Sequence, residues 1–414
     1  MKRKTAHKTG FTTSILHADR ESAIEHGSLH KPLHLSVAYG YRDARELVNV
    51  FQGKAQGYVY GRQGNPTSAA LEEKVNRMED GVATVCFGTG MAAIGAIMLA
   101  LLRGGDHVVA SSYLFGNTNS LFNTLVAHGN DVTFVDATDG AKVEAAIRPE
   151  TRLIFVETIA NPRTQIADLS RIGELCARRG LLYVVDNTMT SPYLFRPKAV
   201  KASLVVNALT KYIGGHGNAL GGSVTDTGIF DWTRFANIQE TYKGPNTALW
   251  GLTQIRKKGL RDWGGTLAAE QAHHLAVGAE TLSLRMDRAC ANAMALAQFL
   301  ASRSDVHAVY YPGLDSHPQH ALAGELFAAY GALLSFELDP QLDCFDFLNR
   351  LQHVVLSSNL GDNRTLAIPV AHTIYHEMGA QRRASMGIAD SLIRVSVGIE
   401  DREDLIADFA QAFG

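Results

Sequence analysis

The chain reads as an α/β protein: a mostly parallel, seven-stranded sheet with flanking helices, followed by a smaller C-terminal α+β domain. Three observations lead there. Apolar runs of strand length recur between residues 83 and 228. Helical patterns of 3.6 periodicity separate the first five of them. The runs are continuously apolar rather than alternating, as expected of strands covered on both faces.

Taken in order, residues 1 to about 60 are polar and rich in His, Gly and Lys, with few periodic segments, and read as an arm spanning 1–65. Two glycines and an Asn-Pro pair then mark tight turns in the stretch Tyr58-Val59-Tyr60-Gly61-Arg62-Gln63-Gly64-Asn65-Pro66-Thr67. Thr67 begins a helix, with Glu72 and Glu73 near its positive end. Strand-length runs follow at 83–87, 107–110, 131–135, 153–156, 181–185, 204–206 and about 222–225. The intervening helical patterns fall at 91–102, 119–128, 141–147 and 169–178. Together they define a large α/β domain over 66–264. From 265 to 414 the pattern changes: a long helical period at 281–301, strands at 308–311, 332–338 and 392–397, and helices at 344–351 and 401–413.

Composition narrows the functional classes. The 414 residues are 46% apolar, which is ordinary for a globular protein, and 39 Lys and Arg balance 41 Asp and Glu to a net charge of −2. Without a long run of one sign, the chain points to no nucleic acid and no membrane surface as partner. The longest apolar helical pattern, 91–102, is too short to span a bilayer. The basic start Met1-Lys2-Arg3-Lys4 is followed by His7, Lys8 and Asp19 rather than an apolar stretch, so it does not read as a signal peptide. Cys86, Cys176, Cys290 and Cys344 lie far apart inside apolar patterns and read as reduced core residues of a cytosolic protein. None of the 16 histidines has ligand spacing; His273 and His274 are adjacent and point to different sides of a helix, so no metal is expected.

The chemistry gathers at strand ends, where ligands bind in such sheets. An apolar run delivers the chain to Thr210 and Lys211, and Gly214, Gly215, Gly217, Gly221 and Gly222 follow. Glycines allow close backbone approach, so a lysine framed this way reads as a phosphate charge or as an amine of lowered pKa that can form a Schiff base. Gly88-Thr89-Gly90-Met91 ends the first strand and opens a helix, placing backbone N–H groups for a phosphate. The same stretch fits a dinucleotide fingerprint (Gly88, Gly90, Ala93), but a Rossmann site wants an acid ending the next strand, and Asp106 precedes it instead. Asp186-Asn187-Thr188 puts a carboxylate at the end of a buried strand, either as a turn former or as the partner of a cation. Glu157 through Asn161-Pro162 ends another strand and reads as a turn. A phosphate cradle, a carboxylate and a lysine along one sheet edge meet the needs of pyridoxal 5'-phosphate, for which an Asp keeps the pyridine nitrogen protonated.

The sequence resembles the cystathionine γ-synthase-like, or Cys/Met-metabolism, enzymes that use pyridoxal phosphate. The likeness covers nearly the whole chain. It rests on Tyr60-Gly61-Arg62, Asn65-Pro66-Thr67, Gly90-Met91-Ala92-Ala93, Glu157 to Pro162, Val185-Asp186-Asn187-Thr188, Thr210-Lys211-Tyr212 and Arg394-Val395-Ser396-Val397-Gly398-Ile399-Glu400. The resemblance implies the fold type I of pyridoxal-phosphate transferases and a homotetramer, a dimer of dimers. It implies Lys211 as Schiff-base lysine and proton carrier, Asp186 at the pyridine nitrogen and Asn161 at the ring oxygen. Gly90, Met91 and Thr210 would hold the phosphate, with Tyr60 and Arg62 reaching the phosphate of a neighbouring subunit. Arg394 would take the substrate carboxylate as a fork.

Several positions depart from the commonest family pattern. Phe115 stands where a tyrosine usually stacks on the cofactor, leaving more proton transfer to Lys211, helped by Tyr60. Ala208 replaces a phosphate-binding serine, and Asn117 stands where methionine γ-lyases carry a cysteine. Asn359-Leu360-Gly361-Asp362 resembles the sulfhydrylase branch; in cystathionine-handling branches the first position is a serine, and a glutamate falls where this chain has Arg364. The expected activity is γ-substitution on an O-acylated homoserine with sulfide or a small thiol. Methionine γ-lyase or cystathionine γ-synthase or γ-lyase activity is the alternative. A nucleotide-dependent oxidoreductase, or a cofactor binder without turnover, is the reading from a different class.

Overall fold

The computed structural model describes residues 9–20 and 24–414. The basic start Met1–Lys4, with His7 and Lys8, lies outside them. Seven strands form the larger sheet: β1 (Ala83–Phe87), β2 (His107–Ser111), β3 (Asp131–Val135), β4 (Thr151–Glu157), β5 (Leu182–Asp186), β6 (Leu204–Asn207) and β7 (Gly222–Asp226). Their order across the sheet is β1-β7-β6-β5-β4-β2-β3. Pairs from β6 to β3 are parallel, whereas β7 runs antiparallel to both β6 and β1. The sequence-predicted sheet is therefore present, with strand ends moved by one or two residues.

The continuous apolar runs have a direct cause. Alternate residues of each strand enter two different cores, one on each face of the sheet. Val109, Ile154, Val156, Tyr183, Val185 and Val205 pack on one side. Val108, Leu153, Phe155, Val184, Leu204 and Val206 pack on the other. Helices Gly90–Leu101, Gly116–Ala127, Gly140–Ala145 and Leu169–Arg179 connect the strands. Helix Pro66–Glu79 begins where the sequence suggests, with Asn65 as its cap accepting from the Thr67 N–H at 2.8 Å.

A second, five-stranded sheet has the order β10-β11-β12-β9-β8. Its strands are β8 (Val306–Tyr310), β9 (Leu333–Leu338), β10 (Val355–Leu356), β11 (Leu366–Pro369) and β12 (Leu392–Ser396). β10 and β11 have no counterpart in the sequence reading, since two- and four-residue strands carry too little period to register. Helices Leu282–Ala301 and Arg402–Phe413 pack against this sheet.

One sequence expectation is corrected. The segment before residue 60 is not wholly irregular: it contains helices Phe11–His17 and Ala44–Phe51. The second escapes notice because no residue in it is buried; Val48 and Phe51 remain exposed. The segment is held to later elements by Lys74, whose buried ammonium lies 2.6 Å from Glu280 and 3.6 Å from Asp19.

Insertion of β7 beside β1 requires a bare backbone. A Cβ on Gly222 would lie 2.2 Å from the Thr89 carbonyl oxygen and 2.7 Å from the Gly90 Cα. Gly222→Ala should therefore lower unfolding stability by roughly 1–3 kcal/mol, the usual cost of overpacking, measured as a lower urea midpoint. An unchanged midpoint would show that the Thr89–Gly90 turn yields freely.

Candidate active site

Lys211 sits in the turn that follows β6. Backbone bonds from Lys211 N–H to the Ala208 carbonyl and from Gly215 N–H to the Lys211 carbonyl close the turn, at 3.1 and 2.8 Å. Arg285, from helix Leu282–Ala301, pins it from below by donating to the carbonyls of Tyr212, Ile213 and Gly278 at 2.6, 3.0 and 2.8 Å. Gly361 presses on it from the side with φ +73°, where a Cβ would come 2.6 Å from the Tyr212 nitrogen. The ammonium donates to the Asn359 amide oxygen at 2.6 Å. Burial, and the positive Arg394 nearby, lower the amine to about 8.

Arg394 lies on β12 and is 1% exposed. One terminal nitrogen donates to the carbonyls of Ser358 and Asn359 at 3.0 and 2.8 Å, while its Nε has no partner. Burial lowers it to about 10, so the guanidinium stays charged at neutral pH with a donor to spare. Lys211, Asn359 and Arg394, far apart in sequence, are thus neighbours.

Asp186 ends β5 directly beside Glu157 at the end of β4, the two being partners in the ladder. Burial pushes both carboxyls up, and Glu157 further because Asp186 adds a like charge. Asp186 does form the turn its sequence suggests, accepting from Thr188 N–H at 2.9 Å, which offsets part of the cost of burial. Glu157 accepts from the Phe115 N–H at 2.7 Å and so fixes the start of helix Gly116–Ala127. Asn161, just beyond, is 5% exposed, and its amide oxygen is buried without a partner.

Gly90 and Met91 open helix Gly90–Leu101, whose Thr89 cap accepts from Ala92 N–H at 3.0 Å, leaving the first amides of the helix free of intrahelical partners. A Cβ on Gly90 would lie 2.9 Å from the Ala208 Cβ, so this helix start and the strand end before Lys211 are in close contact. The Thr210 hydroxyl accepts from Gly221 N–H at 2.9 Å. β1 is an edge strand whose one partner, β7, is antiparallel, so Gly88–Ala93 does not lie in a parallel βαβ unit and the dinucleotide reading fails.

Two predicted residues stand apart. Tyr60 is 43% exposed, and Arg62 lies over its ring at 5.4 Å while bonding the Arg261 carbonyl at 2.5 Å. Among the described residues no hydrogen bond joins either to Lys211; the Arg62 carbonyl instead accepts from the Thr266 hydroxyl at 3.1 Å. Arg364 turns outward and pairs with Asp362 at 3.1 Å, with 66% of its side chain exposed. The sequence reading missed Arg285, Tyr375, whose buried hydroxyl donates to the Asn161 carbonyl at 2.7 Å, and any role for Glu157. An Arg inside a long helical period, or a Tyr in an irregular stretch, leaves no local signal. Glu157 ending an apolar strand beside Asp186 was readable as one.

Among the described residues no group of three potential ligands could hold a metal ion, and no helix is long and apolar enough to cross a membrane. All four cysteines are free and buried. The residues present do fit pyridoxal phosphate. The Gly90 cradle admits backbone where a Cβ would clash, the Asn161 amide oxygen is buried without a partner, and a low-pKa amine and a buried carboxylate share one sheet edge.

Comparison with known proteins agrees. A family model described as Cys/Met metabolism PLP-dependent enzyme matches residues 12–414. Homocysteine synthase of Schizosaccharomyces pombe is 37% identical over 97% of each chain. An L-methionine gamma-lyase of Fusobacterium nucleatum is 35% identical over 98% of each. Among solved structures, a Campylobacter jejuni protein provisionally assigned as an O-acetylhomoserine (thiol)-lyase, carrying a pyridoxyl-lysine phosphate, superposes with a TM-score of 0.91 at 30% identity, covering 98% of this chain and 99% of that one. Cystathionine gamma-lyase from Lactobacillus plantarum, complexed with L-serine, gives 0.87 at 32% identity over 98% of both.

The lowered amine sets a pH dependence. Below about pH 8 Lys211 is protonated and cannot attack an aldehyde; as pH rises through 8 the free amine appears. The rate at which apo protein captures pyridoxal phosphate, followed by visible absorbance, should rise with pH and level off just above 8. A rate still climbing towards the ordinary lysine value of 10.5 would show an amine that is not depressed.

Proposed function

The chain belongs to the Cys/Met-metabolism family of pyridoxal-phosphate-dependent enzymes, and on that premise we propose that it catalyses γ-substitution on an O-acylated homoserine, with sulfide or a small thiol as nucleophile. The observation that carries this reading is the Asn359 amide, bonded to the Lys211 amine at 2.6 Å. An amide there fills space that a serine hydroxyl would leave open, which suits a small nucleophile over a bulky amino-acid thiol. Phe115 and Asn117, at positions where methionine γ-lyases carry tyrosine and cysteine, point the same way.

Pyridoxal phosphate, when bound, acts as an electron sink that makes the protons on Cα and then Cβ of the amino acid removable. The protein's own groups do the rest. Asp186 holds the ring nitrogen protonated, Asn161 meets the ring oxygen, Phe115 offers an apolar face, and Gly90, Met91 and Thr210 hold the phosphate. Arg394 receives the substrate carboxylate on its spare donor edge. Lys211 moves protons between Cα, Cβ and the departing γ-oxygen, its lowered pKa serving both directions near neutrality. In the net reaction the Cγ–O bond breaks, the acyl group leaves as a carboxylate, and a Cγ–S bond forms to give homocysteine.

The working unit in this reading is a cytoplasmic homotetramer, a dimer of dimers. Tyr60 and Arg62 reach a neighbour's phosphate from arm 1–65, while domains 66–264 and 265–414 flank the site. The exposure of Tyr60 supports this, as do the exposed apolar side chains of Leu29, Leu35, Val37 and Phe51 nearby in sequence.

Product analysis tests the proposal. Holoenzyme given O-acetyl- or O-succinylhomoserine should form homocysteine only when sulfide is added; 2-oxobutyrate and methanethiol from L-methionine would instead mark a γ-lyase. Arg394→Ala should lower kcat/KM by about 100-fold or more, the loss of a buried charge-assisted hydrogen bond worth roughly 3 kcal/mol. Lys211→Ala should abolish the visible absorption of the loaded protein.

A further inference from the structure

Glu79 is the last residue of helix Pro66–Glu79 and is fully buried. Its position is costly: a carboxylate out of water, at the negative end of a helix, in a chain where a leucine would fill the volume. Burial pushes the carboxyl up to about 7. One oxygen has no hydrogen-bond partner. The other accepts from two side-chain amides, Asn187 at 3.0 Å and Asn207 at 2.6 Å.

Those two asparagines are not arbitrary. Asn187 follows Asp186 at the end of β5, and Asn207 ends β6, four residues before Lys211. The link continues sideways. The Asn187 amide oxygen accepts from the Thr190 hydroxyl at 2.5 Å, and that hydroxyl lies 3.1 Å from the Thr158 hydroxyl, next to Glu157 at the end of β4. The ends of β4, β5 and β6 are therefore joined in one buried polar chain that closes on Glu79. On the site side of the same ends, Ala208 N–H donates to the Thr188 hydroxyl at 2.8 Å. The backbone ladder between β5 and β6 fixes register up to Asp186. Beyond it, the Asn187 N–H bond to the Val206 carbonyl and these side chains hold the loops.

We propose that Glu79 is a positioning residue: by bridging Asn187 and Asn207 it sets the separation between Asp186 and Lys211 along the site edge. The inference rests on the reading of those two residues as the groups that meet the cofactor ring. A bridge of this kind acts on geometry, where a small misplacement is felt in turnover more than in substrate affinity.

The test uses the full chain reconstituted with pyridoxal phosphate, in three variants. Glu79→Leu should lower the urea midpoint of the apo protein, because it leaves the buried Asn187 and Asn207 amides without their shared acceptor. It should raise the dissociation constant for pyridoxal phosphate and lower kcat, each by roughly tenfold or more, with KM for the O-acylhomoserine within about threefold. Glu79→Gln keeps an oxygen able to accept from both asparagines and should restore most of the cofactor affinity and kcat. If the leucine variant does not fold, Asn207→Ala, which cuts one of the two bonds, must show the same rise in cofactor dissociation constant. Wild-type cofactor affinity and kcat in a folded Glu79→Leu, or in Asn207→Ala, would overturn the proposal. A wild-type protein that binds no pyridoxal phosphate would overturn the underlying reading instead.

Discussion

An ammonium and a guanidinium held together out of water are the constraint from which the rest of this structure follows. Burial, with Arg394 adding a like charge, lowers the Lys211 amine to about 8, and burial lowers the Arg394 guanidinium to about 10. Such a pair persists only if the backbone holding it cannot relax. The Lys211 turn is accordingly fixed from three sides: Arg285 takes its carbonyls, Gly361 abuts it, and the Thr210–Gly221 bond closes its far end. Another buried cation, Arg285, is itself lowered to about 10 by burial, and its donors go to three carbonyls and the Thr281 hydroxyl. Asp186 and Glu157 place two buried carboxyls at adjacent strand ends, where burial pushes both towards the protonated form and the like charge of Asp186 pushes Glu157 further. Perturbed buried groups of this kind are the physical signature of a site that handles protons.

Sheet order explains how distant segments come to share that edge. Parallel β4, β5 and β6 place Glu157 beside Asp186 and Asp186 beside Val206, with Asn207 the next residue along β6. Antiparallel β7 then returns beside β6 and brings Gly222 against Thr89 and Gly90, so the cradle that opens helix Gly90–Leu101 adjoins the strand end before Lys211. The remaining side is closed by the five-stranded sheet, through Arg394 on β12 and the 357–364 turn.

Much of this was legible in the sequence because each feature was local. Gly88–Met91, Asp186–Thr188 and Thr210–Lys211 are strand ends with distinctive turn chemistry, and the large sheet could be drawn from its doubly buried strands. Antiparallel β7 was legible as a strand but not in its direction, since a five-residue run does not state its neighbours. Arg285 and Tyr375 were illegible for a related reason. Their partners are backbone carbonyls far along the chain, and a carbonyl has no residue identity to read. Glu79 was illegible too, because its partners Asn187 and Asn207 lie more than a hundred residues away in sequence. The resemblance to a known family added roles for Asn161 and Arg394 that turn chemistry alone left open.

The order of strands also bears on biosynthesis. β1 has one neighbour in the sheet, β7, and every other strand of that sheet is made between the two. As the chain leaves the ribosome, β1 and the helix start it supports must wait unpaired until β7 is extruded, a long-range contact that closes late. Asn359 and Arg394 come later still. A growing or truncated chain can therefore possess the lysine and the carboxylates before the Asn359 amide and the Arg394 guanidinium are there beside the amine. The surroundings of the lysine are thus completed last: a chain cut short of β12 has Asn359 but lacks the positive charge of Arg394.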